Sequence, residues 1–403
     1  MINISSIENC YGCGICAKAC PSNIISITLN DNGFYEPKVD VDNCIGCGLC
    51  VDVCAFNHKE LVSIDQTVTS YAAWSNDKRV QRKCSSGGIG FEIGKQLIEQ
   101  GYKACGVKYN AESQRAEHYV ASTVEDYIPS IGSKYIQSYT IEGFKAINKT
   151  DKYLVTGTPC QIDSFRRYIQ RFKIEDNFVL LDFFCHSVPS MLAWRKYIEL
   201  VEKQTGEITY ASWRNKHTGW HDSWAMGIDG KLGGDKVNWH NSYNIQIREK
   251  KNFYTSRLSQ GDIFYKLFLG DFCCNPACHK DCKYKYDKSS ADIRIGDLWG
   301  NTYKDNEDGV SALVAFTELG NNVIKALSGV TLKEHAFEVV AEGQMKQNAR
   351  KAVLSNLIYL ILKSNSSNTK LLYKSIFFLE YILCIPRKLS NLTNRIIVRL
   401  KRC

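Results

Sequence analysis

The chain has 403 residues, 44% of them hydrophobic and 23% charged, which excludes a single small module, a disordered or collagenous chain and a multi-spanning membrane protein. The opening residues, MINISSIENC, carry no basic, apolar, small-residue leader, so a cytoplasmic location is expected. Eighteen cysteines in such a reducing compartment are not spent on disulfides and point to metal or redox chemistry.

Two segments repeat with an offset of 34 residues, Cys10-Tyr-Gly-Cys13-Gly-Ile-Cys16-Ala-Lys-Ala-Cys20 and Cys44-Ile-Gly-Cys47-Gly-Leu-Cys50-Val-Asp-Val-Cys54. Each is C-x2-C-x2-C-x3-C, the bacterial ferredoxin spacing. Three thiolates two residues apart wrap a tight loop around a 4Fe-4S cube, and Gly12, Gly14, Gly46 and Gly48 let backbone amides approach the sulfurs. The fourth cysteine of each run completes the neighbouring cluster. The expected sets are therefore Cys10, Cys13, Cys16 and Cys54, and Cys44, Cys47, Cys50 and Cys20. The segment resembles a two-cluster 4Fe-4S ferredoxin domain, placed at residues 1–62. Zinc is the alternative, but zinc motifs favour paired C-x2-C units over two runs of four. Ala55 replaces the proline that usually follows the last cysteine, and no ligand is expected to be lost by it.

A polar connector, Asp65 to Ser70, leads into an α/β pattern. Cys84-Ser-Ser-Gly87-Gly88 reads as a Gly-rich turn before a helix with Ile89, Ile93, Leu97 and Ile98 at helical spacing. Gly101 closes that helix, and Ala104 to Tyr109 reads as a strand. Such a turn presents backbone amides to phosphate or to a flavin edge, although many similar turns only redirect the chain. Strand Tyr153–Thr156 runs into Gly-Thr-Pro-Cys160-Gln and a helix bearing Ile162, Phe165, Ile169 and Phe172. Strand Phe178–Phe184 runs into Cys185-His186-Ser and a helix opening near Pro189. Both cysteines fall at carboxyl ends of parallel strands, where open α/β sheets bind ligands. Cys105 and Cys384 read instead as small core hydrophobes. Farther on, Cys278 and Cys282 share one loop ahead of the alternating strand Ala291–Asp297. With Cys160 and Cys185, or Cys84, they make four ligands of a third cluster or of a structural zinc.

In order, Cys84-Ser-Ser-Gly-Gly, Gly157-Thr-Pro-Cys-Gln161, Phe184-Cys-His-Ser-Val-Pro189, Trp213-Arg-Asn-Lys216 with Gly219-Trp220, and Ala291-Asp-Ile-Arg-Ile-Gly-Asp-Leu-Trp-Gly300 resemble the beta subunit of the coenzyme F-420 hydrogenase/dehydrogenase family. The resemblance spans roughly residues 70–335, with an N-terminal region at 70–149 and a C-terminal region at 150–335. It implies an iron–sulfur flavoprotein with FAD and a 4Fe-4S cluster, exchanging hydride with a deazaflavin coenzyme or another small molecule. By position it makes Ser86, Gly87, Gly88, Thr158 and Asp297 flavin-site candidates. It makes Cys160, Cys278 and Cys282 third-cluster ligands, with Cys185 and Cys84 competing for the fourth place. The family commonly has C-x2-C where this chain has C-x3-C, and nearby Cys273 and Cys274 leave room for a shuffled set. Arg214, Lys216 and His186 are charge partners for anionic groups in this reading. The expected architecture is an α+β ferredoxin-like module, an α/β flavoprotein body and a helical basic tail.

From Arg350 to Cys403 the tail at 340–403 holds eleven Lys or Arg and one acid, +10 of the chain's net +9, which leaves about −1 for residues 1–349. Its apolar runs, Val353–Leu362 and Ile376–Pro386, are too short to span a bilayer and read as a helical hairpin over the core or as a peripheral membrane contact. No nucleic-acid-binding module accompanies the basic residues. The expected partner is a redox protein or a small electron carrier. The competing readings are an electron-transfer subunit serving a separate catalyst, a scaffold with inert clusters, and an enzyme of surface-polysaccharide metabolism.

Overall fold

In a computed structural model, which describes residues 2–235, 237, 251–364 and 373–382, the repeats fold around an antiparallel hairpin. Its strands are β1 (Ile25–Leu29) and β2 (Tyr35–Val39). Short helices Ile15–Ala19 and Leu49–Asp52 each start from a left-handed glycine, Gly14 (φ 75°) and Gly48 (φ 74°). Gly14 is doubly constrained, because a Cβ there would stand 2.1 Å from Thr140 Oγ1 of the body. This ferredoxin-like α+β module is thus pressed directly onto the rest of the chain.

The body is built on β3 (Thr69–Ser75), β4 (Lys103–Asn110), β5 (Arg115–Ala121), β6 (Ser138–Tyr139), β7 (Tyr153–Thr156) and β8 (Phe178–Phe183). The strands β9 (Ile208–Ser212), β10 (Ala225–Gly230) and β11 (Tyr254–Arg257) form a separate antiparallel sheet. With β12 (Ile293–Asp297), β13 (Ser311–Ala315) and β14 (Val330–Glu334), the main sheet has nine strands in the order β14-β3-β13-β12-β8-β7-β4-β5-β6. Its centre, β4-β7-β8-β12, is parallel, whereas β13, β3 and β14 extend it antiparallel.

Alternation along the central strands explains the layering. Tyr153, Val155, Phe178 and Leu180 face the Pro159–Phe172 helix through its Ile162, Phe165 and Ile169. Leu154, Val179 and Leu181 face the Ile89–Glu99 helix through Ile89, Ile93, Leu97 and Ile98. A parallel sheet needs such cover on both faces. Burying each of these large side chains contributes roughly 1.5–3 kcal/mol. Thr158 and Gln161 form a capping box and Pro159 occupies the first turn, so the Pro159–Phe172 helix begins immediately after β7.

Two local expectations change, and the helical tail is as expected. Thr69 and Ser70, read as connector, open β3, because β13 pairs with both and the His335 amide, just past β14, donates to the Ser70 carbonyl. Cys278 lies in a short helix, Pro276–Lys280, capped by Asn275, and not in an open loop. The tail forms helices Ser355–Lys363 and 373–382, which bury Ile358, Leu362, Tyr373 and Ile376 against Ala193, Leu267 and Phe272. Cys105 is fully buried in the core, and Cys384 lies outside the described residues. No helix among the described residues is long and apolar enough to cross a membrane.

Candidate redox site

Cys10, Cys13, Cys16 and Cys54 border one small cavity of about 20 Å³, and Cys20, Cys44, Cys47 and Cys50 border another of the same size. Each cavity takes three cysteines from one repeat and the fourth from the other. The first set is buried; in the second, Cys47 is exposed and Cys20 and Cys44 are half-buried. Burial, with the neighbouring Cys13, pushes the Cys10 thiol up to about 12, and burial pushes Cys54 to about 11. Thiols so placed ionise only against a bound cation, which is what iron supplies.

The buried set leans on the body through Ser164. Its hydroxyl lies 3.3 Å from Cys13 Sγ and accepts the Ala55 amide hydrogen at 3.0 Å. Ser164 belongs to the helix that opens with Pro159 and Cys160, one turn away from Cys160, a rise of about 6 Å. Tyr11, next to Cys10, reaches across the same boundary. It donates to the Asp281 carbonyl and meets Phe56 and Tyr284 edge-on at 5.1 and 5.8 Å. Gln137 and Asn275 close the boundary: Gln137 Oε1 accepts the Tyr35 amide hydrogen, and Asn275 Nδ2 donates to the Cys10 carbonyl.

Beyond this boundary, Cys160, Cys185, Cys278 and Cys282 act on one another's thiols through their charges. Burial, then the Cys185 and Cys278 thiols, push Cys160 well above its ordinary range. Cys278, pushed to about 12 by burial, has Cys185 and Cys282 as its next influences; burial pushes Cys185 to about 11, with Lys285 lowering it and Cys282 raising it. Cys160 and Cys282 also pack against Tyr11 and Tyr284. Among the described residues no three His, Cys, Asp or Glu side chains close on one point as single-ion ligands would. That holds equally for the ferredoxin-type cysteines. Four thiolates are a donor set that either a 4Fe-4S cluster or a tetrahedral zinc accepts.

The arrangement rests on a buried ion pair. Arg294 and Asp182 are both fully buried, with Nε–Oδ1 and Nη2–Oδ2 contacts of 2.7 Å. The remaining guanidinium hydrogens go to the carbonyls of Tyr284, Tyr286 and Lys288, so the pair pins the chain that follows Cys282. Lys285 in that segment donates to the carbonyls of Cys185 and His186.

Cys84 stands apart: its buried thiol, pushed to about 12 by burial, is influenced next by Lys216, Glu92, Lys83 and Lys134. The nearby pair divides: Cys274 has Cys278 among its influences, and Cys273 has none of the four. Cys273 sits in an apolar cluster beneath the tail helices, and Cys274 meets Ser187 Oγ at 2.9 Å.

Cys84 and Cys185 both border a cavity of about 450 Å³ at the carboxyl edge of β7, β8 and β12, within the size range of small-molecule sites. Ser86, Gly88, Thr158 and Asp297 line it as well. Gly87 does not: it packs between β3 and β13, where a Cβ would stand 2.3 Å from the Ala73 carbonyl oxygen. Gly88 (φ 90°) turns the chain so that the Ile89–Glu99 helix starts at the cavity wall. Tyr135, Trp224, Phe268 and Trp299 supply flat aromatic lining. The donor set and walls fit a flavin: planar surfaces for a ring system and a glycine-led helix N-terminus for phosphate.

The three side chains read as charge partners for a ligand are engaged within the protein. Arg214 forks onto Asp297 (2.8 and 3.1 Å) and donates to the Ser85 carbonyl, while Trp220 Nε1 also donates to Asp297. Lys216 donates to the carbonyls of Gln81, Ser86 and Asp308, and burial pulls its ammonium down to about 8. Both residues therefore hold the Ser85–Ser86 turn through its carbonyl oxygens. His186 binds Asp271 at 2.8 Å and is the one of the three on the cavity wall.

Sequence reasoning missed Tyr11, Gln137 and Ser164. Ser164 was accessible as the residue four after Cys160 on a helical pattern; Tyr11 and Gln137 have no local signal, since their partners lie more than a hundred residues away.

Residues 9–58 match the 4Fe-4S dicluster domain, and residues 150–338 match the C terminus of the coenzyme F420 hydrogenase/dehydrogenase beta subunit. Among solved structures, a chain of the F420-reducing NiFe hydrogenase complex from Methanosarcina barkeri, studied by xenon derivatization, is similar at 19% identity. That match covers 75% of this chain and 91% of the other, with a TM-score of 0.45. No curated protein matches.

Proposed function

We propose that this iron–sulfur oxidoreductase, a 4Fe-4S dicluster domain joined to a coenzyme F420 hydrogenase/dehydrogenase beta-subunit domain, is a flavoprotein relay serving an organic substrate in the 450 Å³ cavity. Cys160, Cys185, Cys278 and Cys282 would hold a third cluster, and the Ser86–Gly88 turn with Thr158 would hold FAD. Bound FAD would supply the exchange between two-electron chemistry at a closed-shell substrate, such as a deazaflavin coenzyme, and one-electron traffic with the clusters.

The observation that carries this reading is the position of the body cysteines. Ser164 touches Cys13 on one side, Cys160 lies one turn along the same helix, and Cys185 borders the cavity on the other side. Thr158 adds a second link, its hydroxyl lying 3.2 Å from Cys160 Sγ while the residue lines the cavity. Exposed Cys47 gives the opposite end of the series a surface for a redox protein or small electron carrier. The chain's own work is positional. Lys216 and Arg214 fix the turn, Arg294 and Asp182 fix the Tyr284–Lys288 segment, and the aromatic walls offer flat surfaces to a ring system.

The test is anaerobic purification with iron, acid-labile sulfide and flavin measured together. About twelve iron and one flavin per chain support the relay; about eight iron with no flavin overturn it. Reduction of the bound flavin by a small molecule alone separates an enzyme from a subunit that needs a catalytic partner protein.

A further inference from the structure

Seven of the fourteen large apolar side chains exposed among the described residues lie between Val353 and Ile382, so one short region holds half of them. The Ser355–Lys363 helix buries Ile358 and Leu362 inward but leaves Leu360 67% exposed; the 373–382 helix buries Tyr373 and Ile376 but leaves Phe378 65% exposed. Each helix therefore has two apolar faces, and the body covers only one.

Within residues 350–403 the charge is almost wholly of one sign, although the body acid Glu199 acts on Tyr373. Glu380 is the single acid in residues 350–403, and its carboxylate accepts the amide hydrogens of Val353 and Leu354 at 2.9 and 2.8 Å. It thus pins the second helix to the start of the first, and its charge is satisfied at a helix N-terminus. The chain then continues through residues 383–403 with six Lys or Arg and no acid.

We infer that the outer face of this helical pair, with its exposed Lys351, Lys363 and Lys374, rests on an anionic lipid surface. Leu360, Phe378 and their neighbours enter the boundary between headgroups and acyl chains, and the Lys side chains meet headgroup phosphates. Helices of nine and ten residues extend only about 14–15 Å, half the thickness of a hydrocarbon core, so they lie on the bilayer and do not cross it. A protein partner presents both signs of charge and selects for mixed rims. A stretch whose one acid is turned inward complements a uniformly negative surface.

The test mixes full-length protein, isolated anaerobically, with vesicles of phosphatidylcholine alone or of phosphatidylcholine with phosphatidylglycerol, and measures co-flotation. Each Lys or Arg near the surface adds about 1 kcal/mol, so partition onto the anionic vesicles should be at least about tenfold stronger and should weaken with salt. Leu360→Glu combined with Phe378→Glu should lower that partition tenfold or more while iron content and melting temperature stay unchanged. Equal binding to neutral vesicles, or no binding to anionic ones, overturns the inference. So does a concentration-dependent dimer that the double substitution disperses, since the face would then belong to a second copy.

Discussion

The ferredoxin domain gathers its eight cysteines from residues 10–54, whereas the mutually influencing cysteines of the body come from positions 160, 185, 278 and 282. In the first region, glycine-led turns two residues apart set the geometry, and the exchange of fourth cysteines needs only one hairpin between the repeats. In the second, two strand ends, a short helix and the segment after it must arrive together, and a buried Arg294–Asp182 pair holds the last of these. A locally encoded site tolerates changes elsewhere in the fold. A site assembled by the sheet depends on every connection that sets strand order.

The sharpest way to break this comparison is Cys160→Ser or Cys185→Ser, which should lower iron from about twelve to about eight per chain, while Cys84→Ser leaves it unchanged. If Cys84→Ser alone lowers the iron content, the assignment of the fourth ligand fails. Next in size is Asp182→Asn, which strands the buried Arg294 charge and should cost about 3–5 kcal/mol. Thermal melts should show the loss, and the electron paramagnetic signals of the ferredoxin pair should outlast those of the body.

The body should also be the acid-sensitive region, through His118. This ring is buried, its Nε2 meets the Thr156 carbonyl at 3.0 Å, and its Nδ1 has no hydrogen-bond partner. Burial holds its pKa at about 4, against 6.5 when unfolded. Below 6.5 the unfolded chain takes up a proton that the folded chain refuses, so stability falls as pH drops. The loss is about 2 kcal/mol between pH 6.5 and 5. His118→Asn should flatten this slope in melting curves recorded across that range, whatever it does to the absolute stability. The smallest effect belongs to the contact between the two regions. Ser164→Ala removes the Cys13 Sγ contact, worth roughly 1 kcal/mol, together with the acceptor of the Ala55 amide hydrogen, and should lower the potential of the buried ferredoxin cluster by ~40 mV in a redox titration.

The two cysteine repeats were fully legible because their spacing is their geometry: residues two apart on a tight turn have few ways to point their thiols. The strand-turn-helix junctions at Cys160 and Cys185 were legible for a similar reason, since alternation, capping and a first-turn proline all act within a dozen residues. Tertiary structure decided the rest. It alone put the Cys185 thiol under the influence of Cys282 and that of Cys84 under Lys216, turned Arg214 and Lys216 inward onto the Ser85–Ser86 turn, and placed Tyr11 beside Tyr284. Those choices depend on which strands become neighbours and on charges that gain more from buried carbonyls and carboxylates than from water. No spacing within the chain records either.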